Sequence, residues 1–196
     1  MKSATAASCR TLHAIQMTVR KFIALTIFSL LTLTTTYGQG SKQDKNLMLA
    51  QIKNMSRQIN DYKNYKTVTI DDAEEFLGHG TDNGGSLTGY FENDTLKKII
   101  EWVGLSNKII QNEYYLDNGK LIFVYSTDSR FKYNDSTQSF DYSKLDIVFK
   151  GRYYFSNGKL IDTILSDKQH IETRQNAADF LISSKDYSKL LNAKRK

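Results

Sequence analysis

The sequence predicts an α+β fold: an N-terminal helix, an antiparallel β-meander of about six strands, and a helical C-terminal segment. Three observations carry that expectation. A β-hairpin pattern recurs three times, most fully at Glu113-Tyr-Tyr-Leu-Asp-Asn-Gly-Lys-Leu-Ile-Phe-Val-Tyr125. Ahead of the hairpins, Met48, Ile52, Met55, Ile59 and Tyr62 alternate steps of four and three, which puts them on one stripe of a helix. Behind them, Ile171 to Leu191 carries spaced apolar residues among polar ones, the mark of one or two short helices.

The chain has 196 residues, 40% hydrophobic and 12% aromatic, with a formal charge of +6. Its charge is uneven. Of 27 basic residues against 21 acidic ones, Lys2, Arg10, Arg20 and Lys21 fall within residues 1–39, which hold no acid, so 23 remain against 21 afterwards. That near balance argues against nucleic acid as a partner. Phe22 to Leu33 is an uncharged apolar run behind Arg20-Lys21, followed by small and polar residues up to Gly38. This is the order of a secretory signal, and the run is short for a membrane span. The expected organisation is a signal peptide at 1–38, a linker at 39–44 and one α+β domain at 45–196, exported to the periplasm or secreted, with no stable membrane insertion after cleavage. Cys9, the only cysteine, precedes the apolar run, so the exported part has no disulfide and no thiol chemistry.

Asp44 is the expected N-cap of the first helix, with Lys45, Lys53, Arg57 and Lys63 off its apolar stripe. Thr67–Ile70 reads as a short strand, Asp71 to Leu77 as a loop or single helical turn, and Gly78 to Gly85 as a glycine-dense turn. That last segment precedes a strand and lacks the Lys-Ser/Thr ending of a phosphate loop. Strands follow over Ser86–Glu92, Thr95–Val103, Lys108–Asp117 and Lys120–Ser126. Asp128 to Lys144 is polar and reads as a mobile excursion. Leu145–Phe155 and Lys159–Leu165 form the last hairpin, and Lys194-Arg-Lys196 a solvated tail.

Asn118-Gly119 is the strongest local hairpin signal, because a type I′ turn needs positive φ at both central residues. Gly119 is therefore expected to tolerate a side chain less well than Gly104, which lies in a longer turn. With the turn at Asn118-Gly119, Leu116 faces Leu121, Tyr115 faces Ile122 and Tyr114 faces Phe123. The pattern returns at Arg152-Tyr-Tyr-Phe-Ser-Asn-Gly-Lys-Leu-Ile161 and, more weakly, at Thr88-Gly-Tyr-Phe-Glu-Asn-Asp-Thr-Leu96. Aligned on the turns, Phe91, Leu96, Leu116, Leu121, Phe155 and Leu160 make one apolar face. Tyr90, Tyr115 and Tyr154 make the other with Lys97, Ile122 and Ile161, and Glu113 and Arg152 lie two places back.

These hairpins resemble those of a group of small exported proteins of Gram-negative bacteria with repeated Tyr-Tyr-x-Asp/Asn-Gly-Lys-Leu units. The resemblance covers about half of the exported part and lies in fold-forming residues. It implies export and a sheet, and brings no activity or functional residue with it. The closely spaced glycines of a MORN array are absent.

The residues offer little catalytic chemistry. His79 and His170 are isolated, no Gly-x-Ser-x-Gly elbow occurs, and no metal, cofactor or catalytic residue is assigned. Asp71, Asp72, Glu74 and Glu75 read as a solvated acidic loop. The candidate binding residues are Tyr90, Tyr115, Tyr154, Glu113 and Arg152, since tyrosine and arginine favour interfaces. The competing arrangement is a terminal helix laid over that face, with the rings as packing. The expected function is a non-catalytic binding module for a protein or envelope partner, using one face of the sheet. A glycosidase-type carboxylate pair stays open, so the alternative is a small hydrolase acting on envelope polymers.

Overall fold

The computed structural model describes residues 37–166 and 176–195. The signal segment through residue 36, with Cys9, and the stretch holding His170 and Ile171 lie outside the described residues. The chain divides into two units, Met1–Leu47 and Met48–Lys196. Of the first, only residues 37–47 are described, and they are helical.

The elements follow in the order α1 (Tyr37–Asp61), β1 (Lys66–Ile70), α2 (Ala73–Leu77), β2 (Gly85–Glu92), β3 (Thr95–Gly104), β4 (Lys108–Asp117), β5 (Lys120–Asn134), β6 (Ser139–Ser156), β7 (Lys159–Leu165) and α3 (Ala177–Lys194). The fold is α+β, with all seven strands in one antiparallel meander ordered β1 to β7. Helix α1 starts well before Lys45, so residues 39–44 are helix rather than linker and Asp44 is no N-cap. No proline interrupts that stretch, and its one glycine, Gly40, weakens a helix by only about 1 kcal/mol. Among the described residues, no helix is long and apolar enough to cross a membrane.

Each predicted turn is present. Asn93-Asp94, Asn118-Gly119 and Asn157-Gly158 all carry φ between 46° and 73° at both positions. One residue further along, each hairpin has the same irregularity. The register shifts between Tyr90 and Phe91, between Tyr115 and Leu116, and between Tyr154 and Phe155. Lys97, Ile122 and Ile161 are the extra residues, so two residues of the returning strand oppose one of the outgoing strand, the arrangement of a β-bulge. This corrects the expected pairing. Leu116 does face Leu121, but Tyr115 faces Phe123 and Tyr114 faces Val124. An extra residue inverts the alternation beyond it, which moves Phe123 to the tyrosine face. Leu160 is 41% exposed instead of core, because β7 is the sheet's outermost strand.

Both sheet faces are covered. On one, Ile70, Leu87, Phe91, Ile99, Tyr114 and Phe155 pack with Phe180, Tyr187 and Leu191 of α3. On the other, Tyr115, Ile122, Phe123 and Tyr154 pack with Ile52 of α1, with Met48, Met55 and Ile59 around them. Helix α3 opens on a capping box: the Asn176 side chain accepts from Ala178 and Asp179 N–H, and the Asp179 carboxylate accepts from Asn176 N–H. At its other end, Lys194 lies 2.8 Å from Glu75, and Arg195 pairs with Asp94 over the Phe91 ring. Both residues are exposed, so this end of the chain is solvated as expected, with its ion pairs at the surface. In the acidic segment, Asp72 caps α2 by accepting from Glu74 N–H at 3.0 Å.

Asp128 to Lys144 is not a loose excursion. Strands β5 and β6 continue as a paired arm to Asn134 and Ser139, beyond the ends of β4 and β7. Edge-on ring pairs, Phe131–Tyr142 and Tyr133–Phe140, hold the arm in place of aliphatic packing.

The two glycines compared above also exchange order. Gly119 has φ +73° but open space where a Cβ would stand, so Gly119→Val should destabilise only through backbone strain, about 1–3 kcal/mol. A Cβ on Gly104 would sit 2.7 Å from the Asn83 backbone oxygen and 2.9 Å from the Trp102 ring. The Gly104 N–H donates to Gly84 O at 2.9 Å, so its strand cannot move aside freely. Gly104→Val is therefore expected to lower the thermal midpoint more than Gly119→Val. Equal or reversed midpoints would contradict the tight packing at Gly104.

Candidate functional site

The tyrosine face is where the sequence pointed, and α1 lies across it. Tyr115 is 2% and Tyr154 3% exposed, and Tyr90 is half-buried against Tyr65 with ring centroids 5.8 Å apart. The arrangement left open by the sequence is thereby decided: these rings are packing. Phe123 stands between Tyr115 and Tyr154, with centroid distances of 5.2 and 5.0 Å.

The polar groups of this face serve the same seam. Lys98 Nζ lies 2.7 Å from Glu113 Oε2 and donates to Asn60 Oδ1 of α1 at 2.9 Å. The Tyr115 hydroxyl is 2.7 Å from Glu113 and 3.0 Å from Asn60, and its one proton serves the nearer carboxylate. Burial, then the Glu113 charge, raises the Tyr115 phenol above its ordinary range. At the rim, burial and then the Glu92 charge push Tyr65 up to about 12. Arg152 is exposed and sits over the Tyr125 ring at 5.2 Å. Of the five predicted binding residues, only Arg152 is openly accessible.

The opposite face holds the chemistry that sequence reading missed. On β3, Glu101 is 2% exposed among apolar neighbours. Its Oε2 accepts from Asn112 Nδ2 and from the Tyr114 hydroxyl, each at 2.8 Å, and its Oε1 accepts from the Tyr187 hydroxyl at 2.6 Å. Donors converging on both oxygens are what an ionised carboxyl requires, since it accepts and does not donate. Burial, followed by the Glu101 charge, raises both Tyr114 and Tyr187 well above the ordinary phenol range. Tyr187 belongs to α3, so one buried side chain ties that helix to the middle of the sheet.

Beside this network lies a cavity of about 280 Å³. Val103, Ile110, Tyr153 and Phe180 supply apolar wall, and Glu101, Asn112, Ser126 and Asp128 supply polar groups. Lys108 lines it too, with Nζ 3.9 Å from Asp128, and His79 reaches it from the glycine-dense segment. That segment is pinned in place: Asn83 Nδ2 donates to Leu105 O at 2.9 Å, and Asp82 accepts from the Ser106 hydroxyl.

A signal for this site exists in the sequence. Ile99, Glu101 and Val103 share one parity of β3, and Ile110, Asn112 and Tyr114 share one parity of β4. A glutamate and an asparagine in register between apolar residues mark a buried polar pair. Phe180, the ring closing the cavity from α3, carries no such mark.

No known protein family, curated protein or solved structure matches this chain significantly.

Proposed function

We propose that the protein is an exported, non-catalytic binding module that holds a small ligand in the cavity between strands β3–β5 and helix α3. The cavity carries this reading: it is concave, mostly apolar, and fitted with a few convergent polar groups, the usual make-up of a ligand site. It uses one face of the antiparallel sheet, the face opposite the tyrosines. The apolar run behind Arg20-Lys21 supports export.

The hydrolase alternative would use Glu101 and Asp128 as its carboxylate pair. Glu101 already accepts from three side chains of its own fold, and Asp128 faces Lys108, so the fold itself engages both carboxylates and no observation favours the pair.

Val103→Phe would fill the cavity without altering its polar groups. Wild-type protein should show saturable ligand-induced thermal stabilisation in a screen of small aryl and alkyl compounds, and the variant should show none. Equal responses from both proteins would place binding elsewhere. Export has its own check. Intact-mass analysis of the periplasmic or culture fraction should find a chain beginning near Gln39, and full-length protein retained in the cytoplasm would contradict the assignment.

A further inference from the structure

The cavity's charge narrows the ligand class. Among the described residues, no lysine, arginine or histidine nitrogen lies within 4 Å of the Glu101 carboxylate, although six ion pairs occur among those same residues. Its three partners are two phenols and a primary amide, all neutral. Removing a carboxylate from water is expensive unless an opposite charge or a full set of donors offsets it. The set here is not full. A carboxylate offers about four lone-pair positions. Oε2 accepts two hydrogen bonds and Oε1 only one, so an acceptor position remains on Oε1.

The remaining charges agree with this. Among the described residues, Lys108 is the only lysine or arginine lining the cavity, and it faces Asp128, so the two offset each other. Among the described residues, Glu101 is left as the charge without an opposite. The apolar wall next to it includes the faces or edges of two aromatic rings, Tyr153 and Phe180. Aromatic rings attract cations as well as apolar groups.

Resting on the cavity reading above, we infer that its ligand is an organic ammonium ion with an apolar body. The ammonium is held by the Glu101 carboxylate, and the body lies against Val103, Ile110 and Phe180. A volume of about 280 Å³ suits a ligand of modest size, below the range typical of drug-sized molecules. A carboxylate ligand would meet Glu101 as a like charge, and a neutral one would leave it uncompensated.

The test uses three probes of similar shape: 2-phenylethylamine, 2-phenylethanol and phenylacetate, titrated calorimetrically into the purified protein. The amine is expected to bind tightest. Glu101→Gln keeps the shape of the side chain and removes its charge, and should weaken amine binding about tenfold or more, leaving 2-phenylethanol nearly unchanged. If that variant folds poorly, Lys108→Gln provides the second arm. It removes the positive charge at the cavity and should strengthen amine binding while weakening phenylacetate.

The outcomes separate the two claims. Amine and alcohol binding equally, or phenylacetate binding best, with all of it abolished by Val103→Phe, overturns the ammonium inference and leaves the cavity reading standing. Binding of any probe that survives Val103→Phe overturns both. An absence of binding by all three probes overturns the ammonium inference, and the broader compound screen then decides the cavity reading.

Discussion

Changing Tyr115 and Tyr154 together to serine should remove most of the protein's stability. Both rings are almost completely buried and both touch Phe123 beneath α1. Truncating one large buried aromatic typically costs about 3–5 kcal/mol, because the transfer free energy is lost and the cavity refills only partly. Two such truncations sum to about 6–10 kcal/mol before coupling through Phe123, against a total stability of about 5–15 kcal/mol. The loss of the Tyr115 hydroxyl also releases Glu113 and Asn60, which join the sheet to the helix. A chemical-denaturation curve should show the double variant largely unfolded in buffer. A change within about 0.5 kcal/mol, the range of surface substitutions, would return this face to the status of a partner surface.

The second large effect is at Glu101. Glu101→Leu keeps the volume roughly constant and leaves Asn112, Tyr114 and Tyr187 without the acceptor they share. A buried donor left unsatisfied costs about 1–3 kcal/mol, so three put the loss at about 3–9 kcal/mol, less whatever water recovers through the adjoining cavity. Tyr187→Phe removes one donor to a charged group and leaves the carboxylate its other two, so it should cost about 1.5–3 kcal/mol. Hydrogen exchange adds the location. In Glu101→Leu, protection should fall first in α3, because the Tyr187 hydroxyl joins that helix to Glu101's strand. Unchanged exchange in α3 would mean that apolar contacts alone dock the helix.

How far the sequence reached follows from which physical signals are local. The three turns were legible because Asn-Gly and Asn-Asp announce positive φ within two residues. The stripe on α1 was legible because Met48, Ile52, Met55 and Ile59 repeat with the helical period. What failed was non-local or additive. A bulge adds one residue without any sequence mark, so Phe123 was assigned to the wrong face although Leu121 was placed correctly. The arm past Asp128 is held by ring pairs such as Phe131–Tyr142 across two strands, and its polar residues resemble a loop when read along one. For the tyrosine face, sequence could state that Tyr115 and Tyr154 share a side but not that α1 covers it. Coverage depends on where a distant element docks. Glu101 and Asn112 sit at core parity, a mark the sequence reading passed over, and their meaning depends on Tyr187, 86 residues further along the chain than Glu101.

The measurement closest to the central claim is an amide chemical-shift map of the protein titrated with 2-phenylethylamine. Ligand in the cavity should move the backbone amides of Val103, Asn112, Ser126 and Phe180 most, with saturation at a common midpoint. Shifts concentrated along α1 or the β5–β6 arm, with those four amides still, would contradict it.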